Sequence, residues 1–258
     1  MISVNRISAK NNPLIKLVCS LQSSSKARKE NGLFVTEGLR ICNDAEENGI
    51  KFDKLIVSEK FADKFPWDLK RLSENSGSVY IVTNEVFDKI SDTQSPQGIL
   101  AVSKIPSVNT APDKNGKFVA LENLQDPANL GAVARTAEAL GIKGLIIESG
   151  CDPYSPKCIR NSMGTLLRMP LYFTESISGF IKENGLRGFA CVVDHDAEKI
   201  NNISFENGDV IIIGNEANGI SEELKKVCER ITIPMSGRAE SLNAAAACAI
   251  AAWEAVKP

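Results

Sequence analysis

Apolar strand segments alternating with helical ones predict an α/β protein in two parts, the second built on a mainly parallel sheet. Three observations carry this. Five apolar strands and five helical segments alternate after residue 117. The stretch Lys104–Lys117, KIPSVNTAPDKNGK, has two prolines, an Asn-Gly pair and few large apolar groups, which is linker composition. The 258 residues suit one large domain or two of modest size. The expected organisation is therefore residues 1–105, a linker at 106–117, and residues 118–258.

In the first part, Asn11-Asn12-Pro13 reads as a cap opening the amphipathic run Leu14–Val18. Strands are expected at Leu33–Thr36, Asp53–Val57, Ser78–Val82 and Gly98–Val102. Helices are expected at Glu37–Asn48, stopping at Gly49, and at Glu85–Ile90. After the linker, strands are expected at Phe118–Glu122, Gly144–Glu148, Gly188–Val193, Asp209–Ile213 and Arg230–Ile233. The helices between and after them are Asn129–Leu140, Pro156–Ser162, Ser176–Asn184, Glu222–Glu229 and Ser241–Val256. No GxGxxG or Walker A pattern occurs, so the usual dinucleotide and nucleoside-triphosphate fingerprints are missing.

Charge is balanced overall, at −2 from 30 Lys+Arg and 32 Asp+Glu, which speaks against an indiscriminate polyanion binder. The balance is uneven along the chain, with +2 over residues 1–105 and −4 over 106–258. Arg6, Lys10, Lys16, Lys26, Arg28 and Lys29 precede the first acid, Glu30. Such a block is either a footprint for phosphate or a solvated helix face. A single His, His195, leaves little room for imidazole catalysis or a His-rich metal centre, and it reads as a loop residue at a strand end. Seven scattered cysteines without a CxxC argue against a disulfide framework or structural zinc, and suggest a reducing, cytoplasmic setting. No apolar run reaches transmembrane length and no secretory leader is evident, so no membrane partner is expected.

Three segments carry chemical information. In Leu121–Gly141 a strand ends in a polar turn and a helix follows, with Leu130, Val133, Ala134, Ala137 and Leu140 as its apolar stripe. Arg135 falls off that stripe, either an ordinary solvated Arg or a group near the strand ends where α/β sheets bind ligands. In Val210–Ser221 an apolar strand runs into Gly214, Glu216, Asn218 and Gly219. These glycines either admit a ligand close to the backbone or form a tight turn. In Ile233–Trp253, Ser241 is a candidate N-cap with Asn243 in the first turn, and Leu242, Ala245, Ala249, Trp253 and Val256 form one face. Seven alanines at 244–252 make either a simple strong helix former or a tightly packed, intersubunit helix.

The runs DPANLGAVARTAEALG, IIIGNEANGIS and IPMSGRAESLNAAAACAI, in this order, resemble the signature motifs of the SpoU (TrmH-type) RNA ribose methyltransferases of the SPOUT class. SPKCIRNSMGTLLRMP is similar to a further segment of that family, and LFVTEGLRICNDAEENGIKFDKLIVSE with SPQGILAV resembles its small N-terminal substrate-binding domain. The resemblance spans residues from about 10 to 256. The alanine run departs from the Val-containing start frequent after SLN but removes no polar motif residue.

The resemblance implies a parallel sheet with a C-terminal trefoil knot, preceded by a ribosomal-protein-like RNA-binding domain. It implies methyl transfer from S-adenosylmethionine to a ribose 2′-hydroxyl of structured RNA, rRNA favoured over tRNA, by a homodimer through the knotted domain, with no metal. By motif position, Gly214, Glu216, Ile233, Met235, Leu242 and Asn243 would hold the cofactor. Arg135, Asn129, Glu216, Ser241 and Asn243 would form the catalytic set. Arg135 either acts as the base or clamps the neighbouring phosphate while another oxygen takes the proton; guanidinium stays protonated in nearly all proteins, which makes the first reading awkward. Lys16, Lys26, Arg28, Lys29 and Arg40 are the candidate RNA contacts of the first domain, with Arg160 and Arg168 continuing the track. The alternative is a non-catalytic RNA-binding or assembly factor on the same fold, which would bind RNA and no cofactor.

Overall fold

A computed structural model describes residues 4–107 and 111–258. Val108–Thr110 of the expected linker lie outside the described residues, and residues 111–117 form no helix or strand.

The chain begins with β1 (Val4–Ile7), α1 (Pro13–Ser23), α2 (Ser25–Asn31), β2 (Leu33–Glu37), α3 (Leu39–Glu47) and β3 (Phe52–Ser58). It continues through α4 (Glu59–Lys64), α5 (Pro66–Glu74), β4 (Ser76–Val82), α6 (Asn84–Ile90) and β5 (Ile99–Lys104). Then follow β6 (Phe118–Glu122), α7 (Pro127–Ala139), β7 (Leu145–Glu148), α8 (Pro156–Asn161), β8 (Leu171–Phe173) and α9 (Ile177–Asn184). The last elements are β9 (Arg187–Cys191), β10 (Glu198–Lys199), β11 (Asp209–Ile213), α10 (Glu222–Val227), β12 (Glu229–Thr232) and α11 (Ala244–Val256). Contacts group the described residues up to Pro106, with Tyr154–Arg168, into one compact unit, and the remainder of the chain into a second.

The first unit has a five-stranded sheet in the order β1-β4-β3-β5-β2. Strands β1, β4 and β3 pair in parallel, while β5 runs antiparallel to β3 and β2. Asn12 caps α1 by accepting from the Leu14 amide, and Pro13 occupies a first-turn position where its missing N–H costs nothing. The helix then buries Ile15, Val18 and Leu21 against Val35, Ile56, Leu100 and Val102 of the sheet. The segment Tyr154–Arg168 joins this unit through side chains: Tyr154 lies 5.4 Å from the Phe34 ring, Arg160 donates to Asp92 at 2.8 Å, and Arg168 donates to Asp44 at 2.6 Å.

The second unit has a seven-stranded sheet, β10-β12-β9-β11-β6-β7-β8, with every pairing parallel. Strand β11 is buried at all five positions, as its continuous run DVIII requires of a central strand covered on both faces. Its Asp209 is 2% exposed, and the charge is met by Arg187, whose Nε and Nη2 donate at 2.9 and 2.8 Å. Phe118, Ile146, Val210 and Ile212 pack with Ile177 and Phe180 of α9 and Leu224 of α10 on one side of the sheet.

Two local expectations change. α11 starts at Ala244, because Asn243 rather than Ser241 is the cap, its Oδ1 accepting from the Ala245 and Ala246 amides at 2.9 and 3.3 Å. The buried face of α11 is Cys248, Ala251, Ala252 and Ala255, and Trp253 is instead 54% exposed. A helix apolar almost all round has no amphipathic stripe to read, so its orientation is invisible in the pattern.

Candidate active site

The chain order β6, β7, β8 runs outward to one edge of the sheet, and β9 and β12 lie on the other side of β11. The neighbours β6 and β11 thus flank a switch in strand order, and the carboxyl ends there are where open α/β sheets leave a crevice for ligands.

At that edge the turn after β11 closes on itself. Asn215 and Gly219 exchange backbone hydrogen bonds of 3.0 and 2.9 Å, and the Asn215 side chain accepts from the Ala217 and Asn218 amides. A Cβ on Gly214 would lie 2.3 Å from the Gly219 carbonyl carbon, while Gly219 itself has φ +66° with open space around it. One glycine makes room for the returning backbone and the other supplies the left-handed conformation, so the tight-turn reading accounts for both. Asn215 also donates to the Asn123 carbonyl at 2.8 Å, tying this turn to the end of β6.

The turn presents Glu216. Its carboxylate accepts from the backbone amides of Gln125 and Asp126, each at 3.2 Å, and from Asn129 Nδ2 at 3.0 Å. Asn129 is 7% exposed on the first turns of α7, a helix capped by Asp126. Its Oδ1 accepts from Asn243 Nδ2 at 3.0 Å, and Asn243 caps α11 with its own Oδ1. One polar chain, Glu216–Asn129–Asn243, therefore binds together three segments far apart in sequence. Burial alone would raise the Glu216 pKa, but hydrogen bonds from Asn129, its own amide, Gln125 and Asp126 outweigh it and hold the carboxyl below its ordinary value.

Beside this chain opens a cavity of about 750 Å³, in the range of small-molecule sites. Gly214, Glu216, Ile233, Met235, Ser241, Leu242 and Asn243 all line it. Asn129 stands behind the wall and reaches it through its two partners. Arg135 is not brought there: it is on the exposed side of α7 and is not a lining residue. The walls suit an adenosyl sulfonium, with Ile213, Ile233, Met235 and Leu242 as apolar surface and the carboxylates of Glu216 and Glu240 in the lining. Asp194 and Arg230 also line the cavity and form an ion pair of 2.7 Å, and neither was singled out from the sequence. The available signal was positional, since Asp194 follows the carboxyl end of β9 beside β11. His195 is exposed in the loop beyond it. Among the described residues, no group of three or more His, Cys, Asp or Glu could hold a metal ion.

In the first unit, Lys16, Lys26, Lys29 and Arg40 are exposed. Arg28 is a correction. It is 4% exposed and its Nη1 donates to the Leu21 carbonyl at 2.5 Å, so it closes the end of α1 instead of facing solvent. Arg160 and Arg168 are corrected in part. They belong to the first unit by their contacts, and each guanidinium is engaged by a carboxylate, Asp92 and Asp44.

Residues 116–253 match the model of the SpoU rRNA Methylase family, and residues 12–101 match that of the MRM3-like substrate binding domain. An uncharacterised tRNA/rRNA methyltransferase of Synechocystis sp. is 30% identical over 96% of this chain and 92% of its own length. The Bacillus subtilis 23S rRNA (guanosine(2553)-2′-O)-methyltransferase is 28% identical over 88% of this chain and 90% of its own. Among solved structures, the AdoMet-bound rRNA methyltransferase from Sinorhizobium meliloti superposes with a TM-score of 0.87 and 27% identity, covering 98% of this chain and 97% of that one. Among the described residues no helix is long and apolar enough to cross a membrane.

Proposed function

The chain belongs to the SpoU rRNA Methylase family, and on that premise we propose that it methylates a ribose 2′-hydroxyl of ribosomal RNA with S-adenosylmethionine as donor. The observation that carries this reading is the Glu216–Asn129–Asn243 chain along the cavity at the switch in strand order. S-adenosylmethionine, when bound, supplies an electrophilic methyl on a sulfonium. Gly214, Ile233 and Leu242 would hold it, with Met235 on the apolar wall and Glu216 and Asn243 beside it. Glu216, kept ionised by four donors, offers negative charge to a cationic ligand and fixes the turn that shapes the cavity. Ser241 lies at the rim, within the lining, and orients the incoming ribose or the donor by its hydroxyl.

The reading extends to a trefoil knot built around the turn after β11 and the segment before α11, and to a homodimer through this unit. The exposed line Ala246, Ile250 and Trp253 on α11 supports a second copy there, since these residues recur at helical spacing on the solvent side. Arg135, exposed on α7, then serves the partner's site rather than its own, clamping a phosphate next to the target hydroxyl. Residues 1–105, the expected first domain, bind the RNA through Lys16, Lys26, Lys29 and Arg40. Seven free cysteines fit a cytoplasmic setting.

The direct test is incubation with labelled S-adenosylmethionine and 23S rRNA, followed by digestion to nucleosides. A 2′-O-methylated nucleoside is expected, and Asn243→Ala should abolish it. Calorimetry separates the alternative: a protein that binds rRNA but no S-adenosylmethionine is an assembly factor, and the methyltransferase reading is then wrong.

A further inference from the structure

Trp67 is 81% exposed, the most solvated of the large apolar side chains described. It stands one residue into α5, after Pro66. Its outward stance is built, because the opposite side of α5 buries Leu72 and the preceding Phe65 is anchored 5.1 Å from the ring of Phe61, itself 1% exposed. Lys64 Nζ lies 5.2 Å over the Phe65 ring, and the exposed Lys70 follows one turn after Trp67 on the same face. Arg71 shares that face but is spent on Asn43, at 2.6 Å, and on Glu46. Asp68 sits a quarter-turn aside, and Glu74 is two turns on, roughly 10 Å along the axis. An indole held open to water, with Lys64 three residues before it in the chain and Lys70 three after, forgoes the gain of burial. Such aromatic–basic interleaving is the pattern of base-stacking surfaces.

We propose that Trp67 is a stacking platform for an unpaired base of the RNA held by the first unit, with Lys64 and Lys70 contacting the flanking phosphates. This rests on the RNA-directed function above but concerns a residue and a helix outside every motif that points to it. An unpaired base fits better than a duplex, because only a base free of its stack can lie on an indole. The acids nearby leave little net field, so stacking rather than charge carries the contact.

The test compares wild type, Trp67→Phe and Trp67→Ala on a fluorescein-labelled uridine-rich RNA single strand and on a blunt RNA duplex. Trp67→Ala should weaken single-strand binding by about 5- to 150-fold, with duplex binding and calorimetric S-adenosylmethionine binding unchanged. Trp67→Phe should stay near wild type. The chain has only two Trp, so the fluorescence quenched by the strand in wild type but not in Trp67→Phe reports the indole itself. The proposal is overturned if Trp67→Ala binds the strand as wild type does, if wild type ignores the strand, or if the variant instead changes the sedimentation of the protein alone. Methyl transfer to 23S rRNA, measured separately, shows whether the enzymatic reading stands when this one falls.

Discussion

Glu216 is exposed yet held as a carboxylate by geometry, and this fixes the sign of its pH effect. A carboxyl whose folded pKa lies below its unfolded one contributes stability above the ordinary carboxylate range, and that contribution is lost as pH falls through the folded value. The stability difference between wild type and Glu216→Gln, by urea titration, should therefore be constant from neutral pH down to that range and shrink below it. Asn243 separates two jobs in one side chain. Asn243→Ala removes both the cap of α11, worth about 1 kcal/mol, and the strut to Asn129. Asn243→Asp keeps the cap acceptor but cannot donate to Asn129 Oδ1. Denaturation should thus show the larger loss for the Ala variant, since both lose the strut and only Ala loses the cap, while calorimetry shows S-adenosylmethionine affinity falling at least about tenfold in both. The residue types of this chain were readable as polar motif positions. That Asn129 points behind the wall, and that Asp194 and Arg230 share the lining, were not, because neighbours across strands leave no trace in spacing.

At the scale of elements, the turn after β11 and the end of α1 make opposite points about single substitutions. Gly214→Ala puts a methyl into backbone that cannot give way, and should cost about 1–3 kcal/mol or more. Gly219→Ala meets open space and only the left-handed penalty, about 1–2 kcal/mol. Urea midpoints rank the two. Arg28 and Lys29, adjacent in the basic block, should part in the same way. Arg28→Ala destabilises by about 1.5–3 kcal/mol, because the Leu21 and Gln22 carbonyls lose their charged donor. Lys29→Ala leaves stability alone but lowers the salt slope of RNA binding by about 1. Long, regular elements were legible: β6 and β11 match their expected ranges, and α7, β2 and β3 agree within two residues. Missed were β1, β8, β10, α2, α4 and α5, all short. α4 and α5 each bury a single side chain, Phe61 and Leu72, so little of an apolar stripe shows, and a three-residue strand is defined by its neighbour, β7 for β8.

At the scale of the whole molecule, the site proposed to be shared between two copies can be put to a complementation test. Arg135→Ala and Asn243→Ala should each be inactive, and mixing them in equal amounts after dissociation should restore roughly a quarter of wild-type activity, since half the dimers are mixed and one of their two sites is intact. A mixture as inactive as its components means that Arg135 serves its own chain's site. The alternation of apolar strands and helices already specified an α/β chain with a parallel second sheet, because strand period and burial on both faces are written in local composition. The motif order pointed to the family as well. The orientation of α11, the burial of Arg28 and the meeting of Glu216, Asn129 and Asn243 belong to the folded chain alone. Each depends on which surfaces long-range packing brings together, and residues 87 or 114 positions apart carry no local pattern that announces their contact.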